Sequence, residues 1–509
     1  MRNSMTRFLV AALFVSLTVS SALFGQPRVF YIDSAKGDDA GSGRTPETPW
    51  KTLEKVNRSD FAPGDRILFR SGSTWEGQLA PRSSGKEGAP IVFDRYGEGE
   101  RPRIDGGGKV EDVIRLYNVQ HIEVRNLEVS NLGAQPALRR GVHIFLDNYG
   151  TARHVVVSGL YIHDVNGTNG VGGRHKDNGG IIFRTFGDKV PSRFDGLLIE
   201  RNIVWKVDRS GIAAVSYHAM RTRWFPSLNV VIRDNYVADI GGDGIVPWAT
   251  DGVVVEHNIA RDCNHRAGSY NAGIWPWSTD NSLFQLNEAY LTHTTLDGEG
   301  FDSDFNSRNT LFQYNYSHDN DGGFLLICTP GKRNPRQNLG NLATEARYNI
   351  SRNDLTRVFH IGGDVEHARI YDNAIYVGAG LDVQMVIVTD WEGWANDVVF
   401  RDNTFVVDGT ARYGHQVSRN DGLYEIGPGW APAKDIVFEG NRFYGSNIDR
   451  PEDSTGQVVG KAEVPKLQWD GPSFDPARPD DFDSFLEKHR QWMLRLFEQQ
   501  FGRPVKLGR

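Results

Sequence analysis

Runs of three mostly apolar residues, two polar residues and an asparagine recur along the chain between about residues 200 and 445. Examples are VVIRDN at 230–235, VVVEHN at 253–258 and DVVFRDN at 397–403. The asparagines return at a mean interval of about 30 residues, in a column formed by Asn202, Asn235, Asn258, Asn287, Asn315, Asn349, Asn373, Asn403 and Asn441. The pattern predicts short strands separated by turns, since asparagine tolerates left-handed backbone angles and its amide can bond to backbone groups.

The length of this repeat indicates a solenoid, because a period between about 20 and 50 residues is typical of repeat architectures. No helix is predicted inside the repeat, which excludes leucine-rich, ankyrin and tetratricopeptide arrays. A propeller blade would need about 40 residues and four strands. The pattern therefore predicts a three-stranded parallel β-helix in which the asparagines of successive coils stack on one another.

The first residues resemble a secretory signal. Residues 1–7 are basic, residues 8–19 are apolar, and Ser20, Ser21 and Ala22 are small residues suited to cleavage. The apolar stretch is too short for a mature transmembrane span, although an uncleaved N-terminal anchor is an alternative. No second apolar run of that length follows. We therefore expect a protein that is secreted or periplasmic, monomeric and free of the membrane once the signal is cleaved.

The end of the chain has a different pattern. Residues 480–502 predict an amphipathic helix with an acidic start and a glycine stop. Its apolar face comprises Phe482, Phe485, Leu486, His489, Met493, Leu496, Phe497 and Phe501. We expect this helix to pack on the solenoid rather than to bind a partner. The predicted organisation is a signal peptide at 1–25, a β-helix at 26–445 with N-terminal coils and a cap at 26–110, a strap at 446–479 and the helical segment at 480–509.

Several motifs near the start carry a family resemblance. They are Tyr31-Ile-Asp, Gly37-Asp-Asp, Pro49-Trp-Lys-Thr-Leu, Pro63-Gly-Asp and Trp75-Glu-Gly. Together with the coil pattern, they resemble secreted right-handed parallel β-helix proteins of the pectate-lyase superfold. The resemblance implies an all-β, right-handed parallel β-helix, and it implies a polysaccharide lyase or a glycoside hydrolase. The activity needs separate evidence, because one fold supports many reactions.

A second column predicts the face that carries the chemistry. Gly211, Gly244, Gly273, Gly300 and Gly323 each precede the first strand of a coil. Side chains alternate along a strand, so the residues that point outward after these glycines include Trp248, Trp275, Trp277, Asp302 and Asp304, whereas Leu325 and Ile327 are the outward pair in the next coil. Coils stack about 4.8 Å apart, which places the tryptophans beside the two aspartates.

Carboxylates beside exposed indoles are what glycosidic cleavage needs, because one acid protonates the leaving oxygen and one carboxylate acts as base or nucleophile. We predict Asp302 and Asp304 as this pair, with Glu299 in reserve and His360 orienting a carboxylate or binding a sugar hydroxyl. Alternatively, loops cover the tryptophans, the aspartates are solvated, or the acids bind a structural calcium ion. The predicted substrate-binding groove comprises Trp248, Trp275, Trp277, Tyr217, His218, Asp390, Trp391 and Arg333.

Charge helps to choose among the functions. The formal net charge of −7 argues against a nucleic-acid partner, which needs a basic surface. In the predicted outward column no lysine or arginine lies beside Asp302 and Asp304 to serve as the base of a lyase. We therefore predict a glycoside hydrolase that cleaves a plant or algal polysaccharide or oligosaccharide and requires no cofactor. A polysaccharide lyase acting on a uronate polymer and a non-catalytic glycan-binding protein are the alternatives.

The two cysteines of the chain are Cys263 and Cys328. The repeat separates them by three coils, or about 14 Å, whereas a disulfide needs Cα atoms within about 7 Å. The sequence therefore predicts two free thiols.

Overall fold

The computed structural model describes residues 27–170, 175–294, 296–334, 336–418, 424–458 and 467–508. The predicted signal peptide at 1–25 lies outside these residues. Each coil contributes strands to three faces, and neighbouring coils pair in parallel, as Val254–Glu256 does with Leu283–Gln285. An antiparallel pair joins Thr404–Ser418 to Tyr424–Gly427. The predicted all-β, right-handed parallel β-helix is confirmed.

In the described part of the chain, the first face is a sheet of 17 strands. They are Val29–Ile32, Arg66–Arg70, Ile91–Tyr96, Ile122–Arg125, Thr151–Ser158, Arg193–Glu200, Ser227–Arg233, Thr250–Asp251, Val254–Glu256, Leu283–Gln285, Leu311–Gln313, Asn341–Leu342, Glu345–Arg347, Val365–Glu366, Arg369–Tyr371, Asn396–Arg401 and Lys434–Glu439. Their inward residues, such as Phe284 and Phe312 with ring centroids 4.8 Å apart, stack along the interior of the solenoid.

The second face has strands that, between residues 202 and 448, begin directly after the asparagines of the predicted column. Its strands are Thr74–Glu76, Arg103–Asp105, Glu128–Asn131, Tyr161–Val165, Ile203–Val207, Tyr236–Ile240, Ile259–Arg261, Glu288–Tyr290, Tyr316–His318, Ile350–Arg352, Ala374–Val377, the first part of Thr404–Ser418, Arg442–Ile448 and Gln457–Val458. Because Gln457–Val458 pairs with Arg442 and Phe443, the coil stacking continues beyond residue 445.

The third face carries the predicted site. Its strands are Asp112–Tyr117, Arg140–Asp147, Gly179–Phe186, Ser210–Ser216, Ile245–Val246, Glu299–Ser303, Gly323–Thr329, Arg357–Gly363, Asp382–Thr389 and the later part of Thr404–Ser418. Ile274 bridges Ile245 and Phe301, which continues the face through the coil between them.

The predicted asparagine column is a continuous hydrogen-bonded ladder. From Asn202 to Asn403, each side-chain Nδ2 donates to Oδ1 of the next asparagine, at 2.9–3.1 Å. Asn441 ends the ladder by donating to Asp453 Oδ2 at 2.9 Å. The ladder satisfies buried turn groups in every coil and fixes how the coils stack.

The glycine column exists because the backbone of the next coil leaves no room for a Cβ atom. A Cβ on Gly211 would lie 2.6 Å from the carbonyl oxygen of Gly244, and one on Gly244 would lie 2.3 Å from that of Gly273. A Cβ on Gly273 would lie 2.6 Å from the carbonyl oxygen of Gly300. Glycine at these three positions therefore permits the close contact between neighbouring coils at the start of their third-face strands.

The C-terminal helix spans Phe482–Phe501 and ends at Gly502, whose φ of 63° is left-handed. It packs on the second face, where Phe485 contacts Tyr236 and Trp492 contacts Tyr316. The other helices of the described chain are the α-helix Leu53–Arg58 and the 3₁₀ helices His175–Asp177, Arg221–Arg223 and Pro479–Asp481. None of the described helices combines the length and apolar character that crossing a membrane requires.

Candidate functional site

Four carboxylates come together around the strand Glu299–Ser303 of the third face. Glu299 is fully buried and Asp302 is 3% exposed, whereas Asp297 and Asp304, on either side of them, are partly exposed. The two ends of the segment are therefore the carboxylates that a ligand in solvent can reach.

Glycines hold this segment against its neighbours. Gly298 has a φ of 80°, and a Cβ there would lie 1.9 Å from the carbonyl oxygen of Thr294. Its amide donates to Asn271 O at 2.9 Å, and its carbonyl accepts from Gly322 N at 3.0 Å. Hydrogen bonds to the coils on both sides thus fix the backbone next to Asp297.

Burial raises the pKa of three of the carboxylates. The pKa values of Asp297 and Asp302 lie well above the usual range, first because the groups are buried and then because negative neighbours surround them. Burial also raises the pKa of Asp304, but the Phe305 N–H at 2.5 Å and the Cys328 thiol at 3.2 Å donate to its Oδ1 and oppose that rise. The environments of the three groups therefore differ, since hydrogen bonds stabilise the carboxylate form of Asp304 and burial favours the protonated forms of Asp297 and Asp302.

Cys328 belongs to this site, although the sequence did not predict it. The expectation that Leu325 and Ile327 point outward is wrong, because Asp302 pairs with Leu326 and Phe301 pairs with Leu325. The predicted column aligns Gly300 with Gly323, whereas in the structure Glu299 pairs with Gly323. The predicted register of this coil is therefore wrong by one residue. The run FLLICT is apolar throughout and carries no alternation from which its register could be read.

His360 lies two coils beyond Asp302, since both pair with Leu326. Its Nδ1 is 3.7 Å from Glu299 Oε1, and its Nε2 is 2.9 Å from Thr389 Oγ1. Burial lowers its pKa, so the imidazole favours the neutral form. Arg357 Nη2 lies 3.6 Å from the same Glu299 oxygen. Glu299 is therefore the carboxylate that His360 and Arg357 position.

The tryptophans are less exposed than predicted. Trp275 is only 4% exposed, and its Nε1 donates to Asp243 Oδ1 at 3.1 Å, so the prediction that it is an open sugar platform is wrong. Trp248 and Trp277 are partly exposed, with ring centroids 4.8 Å apart. Phe305 stacks on Trp277 at 5.0 Å and extends this row of rings along the face.

A lysine also lies at this face, in a loop outside the strand column in which none was predicted. Lys176 Nζ is 4.5 Å from the Trp275 ring centroid and 3.0 Å from Asp243 Oδ2. Arg209 Nη1 donates to the same Asp243 oxygen at 3.0 Å. The positive charge of Lys176 opposes the rise in pKa of the nearby carboxyl groups. A loop from a distant coil brings it here.

Trp391 and Asp390 lie at the edge of the site. The Trp391 ring meets His360 edge to face at 5.1 Å and covers Gly362, the neighbour of Cys328 in the next coil. Asp390 is exposed beside it. These two residues remain candidates for substrate contact.

Three other predicted groove residues have structural partners. Tyr217 packs against Phe186 at 4.8 Å, in a row of the third face beyond the tryptophans. His218 is buried, and its Nε2 accepts a hydrogen bond from Ser192 N at 3.2 Å. The prediction that His218 lines the groove is therefore wrong.

Arg333 is also held elsewhere. It forms ion pairs with Asp364 at 3.3 Å and Glu366 at 3.1 Å. Asp364 directly follows the third-face strand Arg357–Gly363, so Arg333 lies at the turn into the first face, and its contact with substrate stays a prediction.

Within the described residues, two clusters have metal-ligating atoms within 4.8 Å of one another: Asp302, Asp304 and Cys328, and separately Asp262, His265 and His293. The first contains a thiol whose pKa burial raises well above its usual range. Calcium prefers oxygen ligands alone, so this donor set does not fit the structural calcium ion considered from the sequence.

Comparisons with known proteins agree with this architecture. A family model described as a right handed beta helix region matches residues 110–289 and 193–339. The chain is 31% identical over 452 residues to a lacto-N-biosidase from Bifidobacterium longum subsp. longum, covering 70% of this chain and 28% of that protein. It is 27% identical over 154 residues to alpha-1,3-galactosidase A from Akkermansia muciniphila, covering 27% of this chain and 25% of that protein. The chain thus spans about a quarter of the length of these relatives.

Among solved structures, the chain is similar to the GH136 lacto-N-biosidase from Eubacterium ramulus. The selenomethionine derivative gives a TM-score of 0.60 and 27% identity over 74% of this chain and 67% of that one. The native protein gives a TM-score of 0.56 at the same identity, over 69% of this chain and 67% of that one. The chain is a right-handed parallel β-helix protein, and its predicted resemblance to carbohydrate-active members of that fold is confirmed.

Proposed function

We propose that this protein is a glycoside hydrolase whose reaction takes place on the third face, at the carboxylates of residues 297–304. The observation that carries the proposal is the pair of partly exposed carboxylates, Asp297 and Asp304, on either side of the buried Glu299 and Asp302. Glycosidic cleavage needs one carboxylic acid and one carboxylate. The similarity to two lacto-N-biosidases supports the same reaction class.

The environments of the two groups suggest their roles. Asp297 is the proposed acid, because burial and the nearby Glu299 and Asp304 raise its pKa, which favours its protonated form. Asp304 is the proposed base or nucleophile, because the Phe305 N–H and the Cys328 thiol donate to its carboxylate.

Asp302, predicted from the sequence as half of the pair, is too buried to meet a substrate in this geometry. Its proposed role is that of a positioning residue inside the cluster. His360 lies 3.7 Å from Glu299 and is proposed to position that carboxylate.

The proposed substrate is a lacto-N-bioside, because the similar proteins from B. longum subsp. longum and E. ramulus are lacto-N-biosidases. Trp248, Trp277 and Trp391 supply partly exposed rings that can stack on sugar faces. A plant or algal glycan, predicted from the sequence, is the alternative substrate class. We further propose that the chain is exported and acts as a monomer, and that the reaction itself needs no cofactor.

The test uses an aryl lacto-N-bioside and a panel of plant and algal polysaccharides, with release of aryl alcohol or reducing ends as the signal. We expect Asp297→Asn and Asp304→Asn each to lower kcat by about 10²–10⁴-fold, the usual contribution of a general acid or base. Asp382→Asn is the matched control, since Asp382 lies on the same face but is 60% exposed.

Each alternative has its own outcome. Unchanged turnover in Asp297→Asn and Asp304→Asn would refute the assignment of roles, and a large loss only in Asp302→Asn would restore the pair predicted from the sequence. Unsaturated product absorbing in the ultraviolet would indicate a lyase instead, with Lys176 as the first candidate base. Binding of glycan without turnover by the wild type would favour the non-catalytic protein.

A further inference from the structure

A second group of titratable side chains lies on the turns that leave the second face. Asp262 follows the strand Ile259–Arg261, and His293 comes three residues after the strand Glu288–Tyr290 of the next coil. His265 lies three residues beyond Asp262. The stacking of the coils therefore brings together residues that are about 30 positions apart in the sequence.

The three side chains direct their polar atoms at one point. His293 Nε2 lies 2.8 Å from Asp262 Oδ1, and His265 Nε2 contacts the same oxygen. The two imidazole rings are 4.5 Å apart at an angle of 37°. All three ligand atoms lie within 4.8 Å of one another, and each side chain is 29–37% exposed. The point is thus open to solvent on one side.

A further carboxylate supports the far side of one ring. Asp321 Oδ2 lies 3.7 Å from His293 Nδ1, the nitrogen that faces away from Asp262. The same oxygen accepts a hydrogen bond from Thr294 N at 3.3 Å, which holds it in place. A carboxylate behind a metal-binding histidine is a common arrangement, since it sets the tautomer and orients the ring.

We propose that Asp262, His265 and His293 bind a divalent transition-metal ion, with Zn²⁺ as the best match, and that Asp321 positions His293. Two imidazole nitrogens and one carboxylate oxygen form a three-ligand zinc site that leaves a fourth position for water. Calcium and magnesium prefer sites made of oxygen alone.

Both imidazole contacts with Asp262 Oδ1 must open for an ion to bind, and the shorter one, to His265, must open further. Zinc–nitrogen bonds of about 2.0 Å place tetrahedral ligand atoms about 3.3 Å apart. The 2.8 Å contact between His293 and Asp262 must therefore open by about half an ångström. Partly exposed side chains can make this change without moving the backbone.

The ion would connect two coils just before the carboxylate segment. His293 N already donates to Cys263 O at 2.9 Å, and the chain reaches Asp297 four residues later. Binding should therefore raise the thermal stability of this part of the solenoid. The inference is independent of the proposed function, because metal binding and hydrolysis are measured separately.

The experiment is calorimetric titration of Zn²⁺ into full-length, metal-free protein without an affinity tag. We expect one ion per chain and a higher Tm in the presence of Zn²⁺. His265→Ala and His293→Ala should each weaken binding at least about tenfold, and Asp321→Asn should weaken it by about 10–100-fold.

His367→Ala is the matched control. His367 also contacts a carboxylate, with Nδ1 2.5 Å from Asp397 Oδ2, and it is 58% exposed. Circular dichroism and the Tm of the metal-free variants establish that they are folded. Substoichiometric binding to the wild type, equal affinity in His265→Ala and His293→Ala, or Ca²⁺ binding as tight as Zn²⁺ binding would each overturn the proposal.

Discussion

Removing one side chain from the middle of the asparagine ladder should destabilise the solenoid by several kcal/mol. Asn315 is fully buried. Its Oδ1 accepts hydrogen bonds from the backbone N and the Nδ2 of Asn287, both at 3.0 Å. Its Nδ2 donates to Phe284 O at 2.9 Å and to Asn349 Oδ1 at 3.0 Å. Asn315→Ala would remove all four hydrogen bonds.

The magnitude follows from which partners lose their bond without a replacement. Asn287 Nδ2 keeps a bond to Val255 O at 2.9 Å, and Asn349 Oδ1 keeps the backbone N–H of Asn315 at 2.9 Å. The Asn287 N–H and the Phe284 carbonyl lose this partner in a dry turn. A buried group left without its partner costs about 1–3 kcal/mol, so the free energy of unfolding should fall by about 2–6 kcal/mol.

Urea unfolding followed by tryptophan fluorescence measures this loss. Asn309→Ala is the matched control, because Asn309 Nδ2 also donates to an asparagine of the neighbouring coil, Asn281 Oδ1 at 3.0 Å, but at an exposed position where water can replace it. We expect the control to lose less than about 1 kcal/mol. Equal losses of unfolding free energy in the two variants would refute the idea that exclusion of water makes the ladder's hydrogen bonds strongly stabilising.

Two other predictions concern ionisation. Burial lowers the pKa of His257 to about 4, so between about pH 6.5 and 4 the unfolded chain binds a proton that the folded protein does not. Stability should fall by about 3 kcal/mol as the pH decreases through that window, and urea midpoints should show a shallower fall for His257→Gln. Cys263 and Cys328 are unpaired, as predicted, and burial raises both pKa values. Iodoacetamide at pH 8 should therefore label neither thiol in the native protein and both in urea, as read by mass.

The repeat could be predicted from the sequence because one residue type marks it in every coil. Each asparagine occupies a turn whose buried groups its amide satisfies, so spacing alone located the column from Asn202 to Asn441. The C-terminal helix was equally readable, since its apolar face and glycine stop agree with Phe482–Phe501 and Gly502. Local chemistry and periodicity determine both features.

The surroundings of the carboxylates could be predicted only in part. Alternation placed Asp302 and Asp304 on the outer face beside Trp275 and Trp277, but it could not reveal how deeply a loop covers each position. Lys176 comes from the 3₁₀ helix His175–Asp177, and no rule of spacing links it to Trp275. Long-range loop contacts of this kind require coordinates.

The coil whose register was predicted wrongly is also the coil that makes the site unusual. The glycine column is regular up to Gly300, and the slip occurs at the next coil, where Glu299 rather than Gly300 pairs with Gly323. As a result, Asp304 faces the thiol of Cys328, which cannot compensate a negative charge as a cation would. Positive charge reaches the cluster from other residues, through Lys176 and through Arg357, which lies 3.6 Å from Glu299. The carboxyl groups therefore have different neighbours, and unequal carboxyl groups are what acid and base roles require. Departures from a repeat are expected where function demands them, and here the departure coincides with the carboxylates.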